Sequence, residues 1–176
     1  MTESENNEVR RTGRYMLIMA WVGGLALLTL LFQDLLQTQF NPNTDPLVRE
    51  SPEGLSQVVL DRNAQGHYVA SGRINGVPVT FLLDTGATDV AIPEDLADRL
   101  RLERRGGGIS QTANGPVAVW QTMLDTVTLG AISLSDVRAS ILPSMRGTGK
   151  VLLGMSFLKQ LEFTQRDGQL ILQGAG

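Results

Sequence analysis

An aspartate stands in this chain where an apolar run stops: Val77-Pro-Val-Thr-Phe-Leu-Leu83 leads into Asp84-Thr85-Gly86-Ala87, and Thr-Asp-Val-Ala-Ile92 follows. A carboxylate at the end of a buried strand must be hydrogen-bonded, paired or protonated, because an isolated buried charge is too costly to keep. A carboxyl held in a defined setting is what acid–base chemistry requires. Gly86 lets the backbone pass close to the carboxyl, where a glycine N–H can hold the charged form. Ala87 adds no bulk.

The other candidate chemistries fall away. The chain has no cysteine, which removes thiolate catalysis, thiolate zinc sites and disulfides. His67 is the single histidine, so neither a histidine metal site nor a serine–histidine pair can be assembled around Ser110, Ser133 or Ser156. Gly147-Thr-Gly-Lys150 fails as a phosphate-binding loop, because Ser144 stands where its first glycine belongs and Val151 follows the lysine. A net charge of −3, with no basic run beyond the N-terminal tail, leaves no nucleic-acid surface. No metal and no organic cofactor are expected.

The elements that must position Asp84 follow from the pattern around it. Tyr68, Ala70, Gly72 and Ile74 share one face of a strand, Val77, Val79, Phe81 and Leu83 share one face of the next, and Asn75-Gly76 between them is a hairpin turn. Further hairpin signals stand at Asn114-Gly115 and Asp167-Gly168, with a turn at Leu129-Gly130, spaced as in an all-β domain. Pro93 to Leu100 alone reads as helix, with proline at its start and acids in its first turn. There is no internal repeat.

Upstream, Tyr15 to Phe32 runs 18 residues without a charge. As a helix it is about 27 Å long, close to the hydrocarbon thickness of a bilayer. Arg10, Arg11 and Arg14 precede it and the next basic residue is Arg49, so the positive-inside rule leaves the N-terminus in the cytoplasm and exports the rest. The run exceeds a usual signal-peptide core and lacks small residues at a cleavage site, which favours an uncleaved anchor. The expected organisation is a tail over 1–14, a transmembrane helix over 15–32, a Pro-containing linker over 33–55 and a β domain over 56–176.

Asp84-Thr85-Gly86-Ala87 and its flanks resemble the active-site signature of the retropepsin-like aspartic proteases, in particular their membrane-anchored bacterial relatives. Val151-Leu152-Leu153-Gly154-Met155-Ser156-Phe157-Leu158 resembles the late hydrophobic segment that packs beneath the aspartate loop in that family, with Leu152, Leu153 and Gly154 at its centre. The resemblance implies a single-lobe closed β-barrel with one short helix, preceded by the transmembrane helix. It also implies an endopeptidase active as a homodimer, since peptide hydrolysis by aspartates needs two carboxyls sharing one proton and each chain supplies one. Asp84 would be catalytic, Thr85 would hydrogen-bond across the interface, and Gly86 and Ala87 would support them. Thr112, Ala113, Asn114 and Gly115 would form a flap over a bound peptide or protein substrate. A bacterial source would put the anchor in the inner membrane and the protease domain in the periplasm.

Two positions depart from the family pattern. Retroviral members usually carry a carboxylate where Thr88 stands and an arginine where Met155 stands, which leaves open how the interface is tied together. An alternative from another class is a catalytically inactive protease-like module for dimerisation or peptide binding.

Overall fold

The computed structural model describes residues 3–52, 54–112 and 115–174, and divides into two units at residue 38. The first is formed by helix α1 (Glu3–Phe40), whose stretch Arg11–Phe40 is long and apolar enough to cross a membrane. Within it the Thr29 hydroxyl donates to Leu25 O at 2.8 Å, so this polar group is satisfied inside the helix without water.

The second unit is mostly β. In chain order it contains β1 (Leu47–Glu50), β2 (Ser56–Asp61), β3 (Val69–Ile74), β4 (Val77–Leu83), β5 (Val90–Pro93), α2 (Glu94–Arg99), β6 (Arg105–Thr112) and β7 (Gly115–Leu129). β8 (Ile132–Leu142), β9 (Lys150–Leu153), α3 (Met155–Leu158), β10 (Leu161–Arg166) and β11 (Gln169–Gly174) follow. Strands β3-β4-β9-β5-β8-β7 lie side by side, and β7 returns to β3 through Arg73–Thr128 and Ile74–Val127, closing a six-stranded barrel. The remaining strand, β6, pairs with the first half of β7 and projects as a hairpin. Beside the barrel lies an antiparallel sheet in the order β1-β2-β11-β10.

Turn chemistry sets these pairings. Asn75-Gly76 and Asp167-Gly168 both take positive φ (48° and 77°, 50° and 79°), the geometry that two-residue hairpins need and that Asn-Gly and Asp-Gly supply. Barrel closure depends on Gly72, where any Cβ would collide with Thr128 O on β7 and with the Phe81 ring. The core is filled by Phe81, Phe157, Leu60, Ile74, Leu124 and Leu153, all fully buried. The expected helix appears as α2 with Pro93 at its N-cap. The structure adds a 3-10 turn at Pro143–Met145 and the four-residue α3, both too short to show a periodicity in the sequence.

Within 33–55, which reads from sequence as a linker, the structure holds ordered elements: the end of α1, then β1 paired to β2. Between them Asn43 is buried, its Nδ2 donating to Asp61 O (2.9 Å) and Val69 O (2.7 Å) and its Oδ1 accepting from Asp61 N (2.7 Å). Asn41 Oδ1 accepts from Asn43 N at 3.0 Å, and Asn63 Nδ2 donates to Phe40 O at 3.0 Å. Asparagine and proline without periodicity look like linker composition; here the asparagines substitute for backbone partners at the ends of β2 and β3.

Asn43→Ala is therefore expected to destabilise the β domain by about 3 kcal/mol, because it strips partners from several buried backbone groups at once. Urea unfolding of the full-length protein checks this: the midpoint should fall at unchanged slope, while Arg49→Ala, exposed on β1, should leave it in place.

Candidate active site

Asp84 is carried out of the barrel by β4, whose parallel pairing with β9 aligns Leu83 with Leu153. Its own N–H continues that ladder to Leu153 O at 3.2 Å. The chain then turns tightly: Ala87 N donates to Asp84 O (3.2 Å), and Gly86 N donates to the Asp84 carboxylate, Oδ1, at 2.9 Å. This is the backbone donor expected from the sequence, and a Cβ at Gly86 would stand only 3.1 Å from the same oxygen. Asp84 is half-buried, whereas Thr85 and Gly86 are exposed.

The late segment locks this loop from beneath. Met155 N donates to Ala87 O at 2.8 Å and Ser156 N to Thr88 O at 2.9 Å. For these bonds to form, the loop backbone must lie directly on Gly154, where a Cβ would meet Ala87 O at 2.7 Å and collide with Asp89 O. Gly154 has ordinary extended dihedrals (φ −88°, ψ −173°), so space, not backbone conformation, demands a glycine. Leu153 is fully buried in the main core, and Leu152 packs with Ala91, Val119 and Leu142 in a smaller cluster. The structure thus brings Asp84, Thr85, Gly86 and Ala87 together with Leu152, Leu153 and Gly154.

Asp89, Arg138 and Ser140, which sequence reading passed over, complete the support together with Ser156 of the late segment. The Ser156 hydroxyl is buried, accepts from Val90 N (3.0 Å) and donates to Arg138 O (2.7 Å), joining α3, β5 and β8. Asp89, with 14% of its side chain exposed, accepts from Arg138 Nε at 2.7 Å and from Ser140 Oγ at 3.3 Å. An ion pair within one chain therefore stands next to Thr88, the position at which the expected carboxylate is missing. No sequence signal links Asp89 to Arg138, because they stand 49 positions apart in the chain.

Of the expected flap, Thr112 and Gly115 pair across the β6–β7 hairpin, and Ala113 and Asn114 lie outside the described residues. Gly106, Gly107 and Gly108 lie within β6, where the register slips between Arg105 and Gly107. Trp120 is partly buried against the core. A cleft of about 270 Å³ is lined by Asp84 and Thr85 together with Tyr68, Leu158, Phe163 and Gln165, and Asp84 is the single acidic side chain lining it among the described residues. One carboxyl in an otherwise apolar and neutral cleft can take or give a proton, but it cannot do both at once.

The chain matches, over residues 70–160, a family model described as "gag-polyprotein putative aspartyl protease". Over 130 residues it is 30% identical to an uncharacterized protein in the cobV 5′ region of Sinorhizobium sp., covering 70% of this chain and 54% of that one. Over 124 residues it is 25% identical to the uncharacterized protein RP867 of Rickettsia prowazekii (strain Madrid E), covering 67% and 51%. The chain spans about half the length of these curated relatives. Among solved structures it resembles a retropepsin-like aspartic protease from Rickettsia conorii, with a TM-score of 0.54 and 24% identity over 67% of this chain and 90% of that one, a likeness of fold.

Ser156→Ala should leave Val90 N and Arg138 O without their buried partner, lowering stability by about 1–3 kcal/mol in denaturant titration. Gly154→Ala should cost more, since its Cβ meets backbone that cannot rotate away. Thr88→Val, exposed, should stay within about 0.5 kcal/mol of the parent.

Proposed function

Since the chain belongs to the retropepsin-like aspartyl protease family, we propose that it is an aspartic endopeptidase whose catalytic residue is Asp84, acting as a homodimer held to a membrane by α1. The observation that carries this reading is the Asp84 carboxylate in its cleft, fixed by Gly86 N–H and by the ladder bond to Leu153. In the dimer, Asp84 of each copy would meet its counterpart at the two-fold axis. Two carboxyls about 3 Å apart cannot both ionise, so the pair holds one proton. The ionised member takes a proton from water, and the protonated member donates to the oxygen of the scissile carbonyl.

The exposed Thr85 is free to reach the partner's aspartate loop, while Gly86 and Ala87 keep the carboxyl's surroundings small. The β6–β7 hairpin, paired as far as Thr112 and Gly115, would cover the bound peptide. The span over 15–32, with arginines on its N-terminal side, supports a single-pass anchor with a cytoplasmic N-terminus and an exported domain. The bacterial relatives support a bacterial source, in which the anchor would lie in the inner membrane and the domain in the periplasm. Confinement to a membrane favours dimerisation by raising the effective concentration of the chains. Substrate is proposed as peptide or exported protein, with water as the only co-reactant.

Purified full-length protein in detergent should cleave a diverse peptide library with a bell-shaped pH dependence, because activity needs one ionised and one protonated carboxyl. Asp84→Asn should abolish cleavage while the chain stays folded, and specific activity should rise with enzyme concentration. A stable dimer that cleaves nothing at any pH would instead favour the non-hydrolytic binding module.

A further inference from the structure

From Gly115 to Val119, β7 is paired with β6 alone; at Trp120 it joins β8 as well, with Gly107 on one side and Ile141 on the other. Trp120 is thus the first rung that ties the β6–β7 hairpin to the barrel. Side chains alternate along a strand, so Val119 and Trp120 face opposite ways. Val119 is buried with Ala91 and Leu142, and Leu152 packs against the same cluster. That face of the root is therefore held by β9, next to Leu153, whose carbonyl accepts from Asp84 N. Beyond the root the hairpin is open to solvent, with Ile109 on β6 75% exposed.

The other face of the root is held by charge. Arg104, the residue before β6, lays its guanidinium over the Trp120 ring, 5.8 Å from the ring centroid. Its Nη2 donates to Asp98 Oδ1 and lies 3.6 Å from Glu94 Oε1, both carboxylates being on α2. Glu94 also accepts from Arg146 Nη2 at 3.0 Å, just past the 3-10 turn at Pro143–Met145. One side chain thus joins α2 to the rung from which the hairpin departs. A planar guanidinium can stack on an indole and meet two carboxylates together, which an ammonium cannot match. Exposed ion pairs add little to the stability of a whole domain, and salt screens them. They are strong enough to set the angle of a hairpin whose far part is paired only with itself.

We propose that Arg104 is a positioning residue: clamped between α2 and Trp120, it fixes the angle at which the β6–β7 hairpin covers bound peptide, so that peptide binding weakens as salt rises. This rests on the reading of that hairpin as the cover of the peptide. Arg104 acts through Trp120 on binding, and proton transfer at Asp84 proceeds without it.

The chain has no cysteine, so Ile109→Cys gives a single site for a nitroxide label on the hairpin. In full-length labelled protein in detergent, Arg104→Ala should make the label more mobile by electron paramagnetic resonance. In unlabelled protein the same change should raise KM for an uncharged peptide about fivefold and leave kcat within about twofold. Asp98→Asn should act in the same direction. Arg104→Lys, which keeps the charge and loses the planar stack, should fall between parent and Arg104→Ala. Arg105→Ala, which removes the neighbouring charge paired only to exposed Glu103, should match the parent. At about 1 M salt, where the screening length is about 3 Å, the parent should approach Arg104→Ala, and the variant should not move.

The inference is overturned if Arg104→Ala leaves label and KM unchanged, if it lowers kcat at constant KM, or if the parent's KM ignores salt. A looser label at constant KM overturns it too, since the hairpin would then not act on the peptide. A label loosened by Arg104→Ala, in a protein whose parent cleaves nothing, would support the clamp and remove the hydrolytic reading instead.

Discussion

The backbone from Ala87 to Asp89 lies on Gly154 with no room for a side chain, and the geometry of the aspartate follows from that contact. Because the loop can sink onto Gly154, Met155 N and Ser156 N reach Ala87 O and Thr88 O. The same descent keeps β4 and β9 in parallel register up to Leu83 and Leu153, so Asp84 N can take the next rung of the ladder. With both ends of the turn fixed, Gly86 N points at the carboxylate. The carboxyl is therefore held by backbone, which is pre-organised and cannot swing away as a side-chain partner could.

Around that contact the fold supplies closure on one side and an opening on the other. The barrel is sealed by β7 returning to β3 over Gly72, and Ser156 ties α3 to β5 and β8. The four-stranded sheet, by contrast, ends in β10, an edge whose exposed inner residue borders the cleft. Among the described residues a single acidic side chain lines the cleft, and the strand beside it is an edge of its sheet.

What could be read from the sequence was what local chemistry encodes. Asn75-Gly76 and Asp167-Gly168 announce hairpins because their side chains tolerate positive φ, and the apolar run into Asp84 announces a strand by alternation and length. Gly154 was legible through its neighbours, Leu152 and Leu153, as part of a motif. Asp89–Arg138 and the Ser156 bonds were not, because each joins elements far apart in the chain and uses residue types that are common on surfaces. The span 33–55 misled in the other direction, since its prolines have the composition of a linker while Asn41 and Asn43 within it replace backbone partners. Ring closure at Gly72 depends on a non-local approach of β7, which no window of sequence around Gly72 contains.

The claim that one active site is built from two Asp84 carboxyls is tested most directly by mixing. Wild-type protein at fixed concentration is titrated with Asp84→Asn and allowed to exchange subunits, and cleavage of a peptide substrate is followed. If each site needs one carboxyl from each copy, captured wild-type chains are silenced and activity falls toward zero as the variant is added in excess. Activity that stays constant across the titration, in mixtures shown to contain mixed dimers, would contradict the account.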